Sequence, residues 1–279
     1  MQQIRGLYKV SRPLTTLTGA LAVVLGGYVA GTGEWFNVAL AVLATILASS
    51  SANAWNDYLD IDIDRVNQPQ RPLPSGQVTP RNVKIFSVVM AVLSVGIAAL
   101  INPPAMLIAA VSNAILYLYS WKLKSTVLIG NLTVAFISAM SPVFGGVAAG
   151  NAAPSLWLAL IIFVAILGRE VLKTLADYEG DWREGVKTIS TVWGRRTARV
   201  FFYVLVAATL ITMMLPYLLE VYRPVYGYIV FFGVFPVVMY IVLRVSRERT
   251  GPQLEKLSQL MKYDFIVWFV AVVLGTAAY

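Results

Sequence analysis

Neither cysteine nor histidine occurs in the 279 residues, and charged side chains make up only 13% of them. Without cysteine there is no disulfide and no thiolate nucleophile. Without histidine as well, the usual zinc and haem sites and the commonest general base are gone. A metal bound by this chain must sit on oxygen, which points to Mg²⁺ or Ca²⁺. Apolar residues fill the chain instead: 58% are hydrophobic and the mean hydropathy is +0.71. Soluble domains are about half apolar and about a quarter charged, so both departures point to a membrane protein.

A transmembrane helix needs about 20 mostly apolar residues. Nine segments qualify: 13–31, 35–53, 82–101, 104–121, 127–149, 153–177, 198–219, 224–244 and 261–279. The start, RGLYKVSRPLTTLTGALAVVLGGYVAG, has the basic-then-apolar order of a signal peptide. With eight further spans behind it, it reads as the first membrane helix. No linker or low-complexity tract interrupts the pattern. The expectation is an all-α, polytopic membrane protein of nine transmembrane helices, with residues 1–279 as one domain.

The net charge of +8 is explained by where the cations fall. Of the 22 Lys and Arg, all but Arg223 lie before span 1, in the connections 2–3, 4–5, 6–7 and 8–9, or within the span ends that border them. By the positive-inside rule that face is cytoplasmic. This puts the N-terminus inside and the C-terminus outside, and the basic pI requires no nucleic acid. Three connections on that face (65–81, 178–197 and 245–260) run to about 16–20 residues, and long loops in compact proteins tend to be functional. The last of them, VSRERTGPQLEKLSQL, reads as a basic interfacial helix or a lid.

The few acids are clustered. NAWNDYLDIDIDR, residues 53–65, spaces Asn56, Asp60 and Asp64 by four, and a continuing helix puts all three on one face. Asp57 lies beside them, and Asp62 points elsewhere. Ser49, Ser50, Ser51 and Asn53 make the preceding turns polar, as where a helix lines a wet cavity. GREVLKTLADYEGDWREGVKT, at the end of span 6, repeats the spacing with Asp177 and Asp181. Glu170 and Lys173 share that face. Carboxylates this close repel one another and raise each other's pKa unless a cation is shared. Mg²⁺ takes one or two carboxylates and completes its shell on substrate phosphates. The pattern therefore predicts two acidic clusters clamping a metal-bridged diphosphate, with nearby Lys and Arg neutralising the remaining charge.

A solvated acidic loop explains one such run but not two in equivalent settings. An EF-hand starting at Asp60 requires Gly at Arg65 and Glu at Arg71. An ion-coupled transporter keeps its acids near the midplane on broken helices, and no inverted repeat is visible. The D-G…A-R…G…D…D signature of CDP-alcohol phosphotransferases is absent.

NDYLDIDID (Asn56 to Asp64) resembles the NDxxDxxxD motif of the UbiA superfamily of intramembrane prenyltransferases. DYEGD (Asp177 to Asp181) resembles that superfamily's DxxxD motif. Motif order, placement after spans 2 and 6 and the nine spans agree, so the resemblance covers essentially the whole chain and implies a UbiA-type helical bundle. RVNQPQRPLPSG and LYLYSWKLKSTVLIGN are similar to the family's stretches after the first motif and at the junction of helices 4 and 5. GREVLKTLADYEGD most resembles the branch that makes digeranylgeranylglyceryl phosphate for ether lipids. Thr174 departs from it, since that branch often has Asp directly after the Lys.

The resemblance implies Mg²⁺-dependent transfer of a prenyl group from an isoprenyl diphosphate. Asn56, Asp60 and Asp64 would hold one ion and Asp177 and Asp181 the other, the four aspartates being the catalytic set. Arg12, Lys124 and Lys122 would contact the diphosphate, as would Arg65, Arg71, Lys173 and Lys187. Asp57, Asn53, Tyr119, Asn131 and Glu170 would stand behind the metal or on the acceptor side. Tyr117, Tyr119 and Trp121 could face a developing carbocation through cation–π contact, although interfacial belts also collect such residues. The acceptor implied is geranylgeranylglyceryl phosphate. The alternatives are an aromatic ring of the hydroxybenzoate, homogentisate or naphthoate type, or a chlorophyll-synthase-like substrate. With no histidine, the acceptor proton goes to Asp, Glu or the diphosphate. Membrane lipids are the only other partner expected, with neither nucleic acid nor a partner protein implied.

Overall fold

The computed structural model describes residues 2–247 and 250–276, all of its regular elements helical. Arg249, counted above with the basic face, and the final three residues of the 261–279 span lie outside the described residues, and with them the C-terminal end. In chain order the helices are α1 Gln2–Val10, α2 Pro13–Val29, α3 Trp35–Leu59, α4 Ile61–Asn67, α5 Pro80–Ala99, α6 Pro103–Trp121 and α7 Ile129–Ala148. They continue with α8 Ser155–Ala176, α9 Tyr178–Glu184, α10 Ile189–Val192 and α11 Arg195–Leu218. Then come α12 Pro224–Ile229, α13 Phe235–Arg247 and α14 Gly251–Gly275, with a π-helical turn, Val230–Val234, joining α12 to α13. Among the described residues, eight helices are long and apolar enough to cross a membrane, counting Pro224–Arg247 as one. A ninth apolar helix, the 17-residue α2, is shorter than these eight.

The last helix differs from expectation. Residues 251–260 are helical, as one of the two readings had it, but they form the first turns of α14 rather than a separate interfacial helix. Thr250 and Gln253 form a capping box, and Pro252 stands in the first turn where a missing N–H costs nothing.

The chain divides into two compact units, one comprising Met1–Lys124 and Met140–Leu156, the other Ser125–Ala139 and Trp157–Tyr279. In the first unit α3 is central, packed by α2, α5 and α6. Lipid offers no hydrophobic drive between helices, so close contact depends on small residues and interhelical hydrogen bonds. Both are present. Ala41, Ala44, Ala98 and Ala105 are fully buried. Ser51 and Ser87 exchange hydroxyl-to-carbonyl bonds of 2.8 and 2.9 Å, and Ser94 donates to the Ala44 carbonyl at 2.9 Å. α2 and α7 meet backbone to backbone through Gly26 and Gly145. The short α1 seats Gly6 against Val78 and buries Val10 completely.

In the second unit, α8 and α14 run antiparallel in a register fixed by two contacts. A Cβ on Gly251 would lie 2.4 Å from the Ala176 carbonyl oxygen, and Arg169 Nε donates to the Ser258 carbonyl at 3.2 Å. Thr174, the departure noted above, is buried and bonds Ser190 Oγ at 2.8 Å, tying α8 to α10. Tyr226 donates to the Met213 carbonyl and accepts from Trp268 Nε1, locking α11, α12 and α14 together.

Candidate functional site

The first motif does not continue as one helix. α3 ends at Leu59, Asp60 takes φ −94°, ψ 8°, and α4 begins at Ile61. The Asp64 N–H still donates to the Asp60 carbonyl at 2.8 Å, so a turn is preserved across the break. The i, i+4 neighbours therefore stay together: Asn56 Nδ2 donates to Asp60 Oδ2 at 3.0 Å.

Cations from three other segments converge on these carboxylates. Arg12 pairs with Asp57, and Lys124 pairs with Asp60. Arg71 donates to both Asp64 oxygens at 2.8 and 2.7 Å and lies 3.7 Å from Asp57. Asp57 and Asp64 are almost fully buried, with 4% and 7% of each side chain exposed, so each depends on its partner. Stripping one member from a buried ion pair costs about 3–5 kcal/mol. Arg12 does this from a left-handed backbone, φ 49° and ψ 62°, between α1 and α2. A non-glycine residue there stores about 1–3 kcal/mol of strain, held by its surroundings. Arg12, Arg71 and Lys124, expected on a diphosphate, thus rest on carboxylates here.

Other expected residues fall elsewhere. Arg65 pairs with Asp62, whose side chain is 84% exposed. Replacing Asp62 by Asn should leave turnover and melting temperature within error, since exposed pairs contribute at most about 1 kcal/mol. Lys122 Nζ sits over the Trp121 ring at 4.7 Å. Lys187 is exposed, while Tyr119 and Asn131 are half-buried. Asn53 Nδ2 donates to the Ser11 carbonyl at 3.1 Å, fastening the segment that carries Arg12. Tyr117 is fixed by hydroxyl bonds to Ser87 at 2.6 Å and Ser51 at 3.0 Å.

In the second motif, Asp177 stands at the N-cap position of α9 without a side-chain capping bond, and Asp181 follows in its first turn. Glu170 accepts from Lys173 at 3.1 Å. Among the described residues neither aspartate has an ion-pair partner. Burial raises Asp177 above the usual carboxylate range; Lys173 opposes this, and Glu255 and Glu170 add to it. Burial also pushes Asp181 up to about 6, with Asp177 and Glu184 contributing. The ionised pair is thus poorly compensated and suited to receive a cation.

Two residues were missed in the sequence. Glu255 reaches Asp177 electrostatically because the α8–α14 register sets it opposite Lys173. The signal was the capping box TGPQ followed by apolar Leu254, Leu257 and Met261 at helical spacing. Trp55, inside the first motif, stacks on Tyr58 at 5.5 Å and Tyr117 at 4.8 Å. Among the described residues its buried indole N–H has no hydrogen-bond partner. Nothing in the residue order signals that stack, because Tyr117 is contributed by another helix.

Among the described residues no three acids converge closely enough to hold a metal alone. The donors are nevertheless hard oxygens in pairs, the set that Mg²⁺ takes when water and phosphate complete its shell.

Comparison with known proteins bears on the family and the fold. The UbiA prenyltransferase family model matches residues 15–276. Digeranylgeranylglyceryl phosphate synthase of Methanopyrus kandleri is 39% identical over 215 residues, 77% of this chain and 79% of that protein. A solved structure described for digeranylgeranylglyceryl phosphate synthase superposes with a TM-score of 0.87 at 28% identity, covering 99% of each chain. An Archaeoglobus fulgidus UbiA homologue, solved with GPP and Mg²⁺ bound, shares the fold with a TM-score of 0.73 at 18% identity, over 96% of this chain and 99% of that one. With nine apolar helices, two paired-acid motifs and a family match over nearly its whole length, the chain is a multi-pass membrane protein and belongs to the UbiA prenyltransferase family.

Proposed function

We propose that this prenyltransferase moves a geranylgeranyl group from its diphosphate to the hydroxyl of geranylgeranylglyceryl phosphate, releasing diphosphate. The first motif carries the reading: three carboxylates at a membrane-helix end, each already held by a cation, two of them from distant segments. Such ion pairs exchange partners when an anion and a divalent cation enter together. Asp60 and Asp64, with Asn56, would turn to one metal ion, and Asp177 and Asp181 would hold another. Arg12, Arg71 and Lys124 would then pass to the diphosphate oxygens. When bound, Mg²⁺ supplies charge neutralisation of the leaving group. The digeranylgeranylglyceryl phosphate synthases among the relatives, and the GPP and Mg²⁺ bound to the Archaeoglobus homologue, support the same chemistry here.

In the transition state the allylic C–O bond lengthens and negative charge builds on the diphosphate. Prepositioned cations stabilise that charge more than the ground state. The glyceryl hydroxyl attacks the freed carbon and its proton passes to a carboxylate or to the departing diphosphate. The stacked Trp55, Tyr58 and Tyr117 offer π-faces to developing positive charge. The excess of Lys and Arg in and beside alternate connections supports a cytoplasmic N-terminus and cytoplasmic motifs, with the C-terminus on the other face.

Labelled geranylgeranyl diphosphate, incubated with a panel of acceptors and read by mass spectrometry, tests this. Geranylgeranylglyceryl phosphate should become doubly prenylated, with release of one diphosphate per product. Consumption of a hydroxybenzoate, homogentisate or naphthoate instead would overturn the lipid assignment.

A further inference from the structure

α11 carries a cation that the mechanism leaves unused. Arg199 is half-buried, its Nε shielded from solvent and without a hydrogen-bond partner. Among the described residues it forms no ion pair either. One turn further on, the Tyr203 hydroxyl is likewise shielded and, among the described residues, unpartnered. Residues four apart share a helix face, so two kinds of donor stand side by side with nothing to receive them. Neighbouring Arg183, Lys187 and Arg196 are exposed and simply solvated. Orphaned buried donors are destabilising, and an anion between them would satisfy both.

Their level along α8 identifies the anion. A Cβ on Gly168 of α8 would lie 3.4 Å from Leu205 Cβ of α11. The Thr174–Ser190 bond joins the same two helices' ends through α10. The helices are therefore antiparallel, and six residues back from Leu205 puts Arg199 level with Thr174, one turn from Asp177. Tyr203 is level with Glu170. An acceptor that is a glyceryl phosphate carries its phosphate within a few bonds of the reacting hydroxyl, so that phosphate must lie near the acid motif without occupying it. We infer that Arg199 and Tyr203 form the subsite for the acceptor's phosphate monoester, the guanidinium and phenol donating to its oxygens. This rests on the glyceryl phosphate reading above. A bulk lipid headgroup offers the same phosphate chemistry, because an arginine in the first turns of a membrane helix can snorkel to the interface.

The test uses the full chain in nanodiscs of zwitterionic phosphatidylcholine, with geranylgeranylglyceryl phosphate and its dephosphorylated diol as rival acceptors. Arg199→Gln should raise KM for the phosphate acceptor about 10- to 100-fold. Its kcat and donor KM should stay near wild type, and the preference over the diol should disappear. Arg199→Lys should recover part of the affinity, and Tyr203→Phe should show a smaller loss in the same direction. An unchanged acceptor KM in Arg199→Gln overturns the subsite, as does an effect confined to melting temperature in anionic phosphatidylglycerol discs. Calorimetric titration of the phosphate acceptor without donor separates the two readings. Arg199-dependent binding by a chain that transfers nothing to either acceptor upholds the subsite and removes the proposed reaction. Normal turnover with Arg199-independent binding does the reverse.

Discussion

Asp181→Asn should lower Mg²⁺-dependent transfer by about 10³-fold, equivalent to ~4 kcal/mol of transition-state stabilisation. The substitution keeps the shape of the side chain and removes one anionic oxygen from the pair that would hold the ion. Its effect on folding should have the opposite sign. Burial and the neighbouring acids push the Asp181 carboxyl up to about 6, so near neutral pH its charge costs more in the folded chain than in the unfolded one. Removing that charge should leave the melting temperature unchanged or slightly higher. Single-turnover assays over a Mg²⁺ titration, with thermal unfolding in detergent alongside, would show activity and stability moving apart. Asp60→Asn should lose activity similarly but also stability, because Lys124 then loses its counter-ion. Full turnover in either variant would remove the metal-assisted mechanism.

Gly26→Val and Gly145→Val should each destabilise the chain by about 3 kcal/mol or more, without touching either acid motif. A Cβ on Gly26 would lie 1.9 Å from the Pro142 carbonyl oxygen, and one on Gly145 would lie 1.9 Å from the Val23 carbonyl oxygen. Both obstacles are backbone, so no rotamer change relieves them and α2 must separate from α7. Gly96, with nothing within 4 Å of its would-be Cβ, provides the control, and Gly96→Ala should be neutral within about 1 kcal/mol. Melting curves of the three variants in one detergent decide the matter. If Gly26→Val melts with wild type, α2 and α7 are not in backbone contact.

The spans and the acids were legible because each is a local property. Hydrophobic runs of about 20 residues admit few readings, and a four-residue acid spacing holds whether a helix is unbroken or, as at Asp60, interrupted for one residue. The last helix was misjudged because polar Glu255, Lys256 and Gln259 dilute the hydropathy of residues 251–260. The Thr250–Gln253 capping box and the buried Leu254 and Leu257 mark the same stretch as helix.

The sequence alone thus determined an all-helical membrane protein with two paired-acid motifs and only oxygen ligands for a metal. Those features follow from composition and short-range periodicity. The tertiary structure decided which cation answers which acid: Arg12 on Asp57, Arg71 on Asp64 and Lys124 on Asp60, across separations of 45, 7 and 64 residues. It also brought Glu255 within electrostatic reach of Asp177 and, among the described residues, left Arg199 Nε and the Tyr203 hydroxyl unpartnered. Side-chain type and spacing fix what a residue can bind. Only helix packing, through small residues and interhelical hydrogen bonds in a solvent that supplies neither, fixes what it meets.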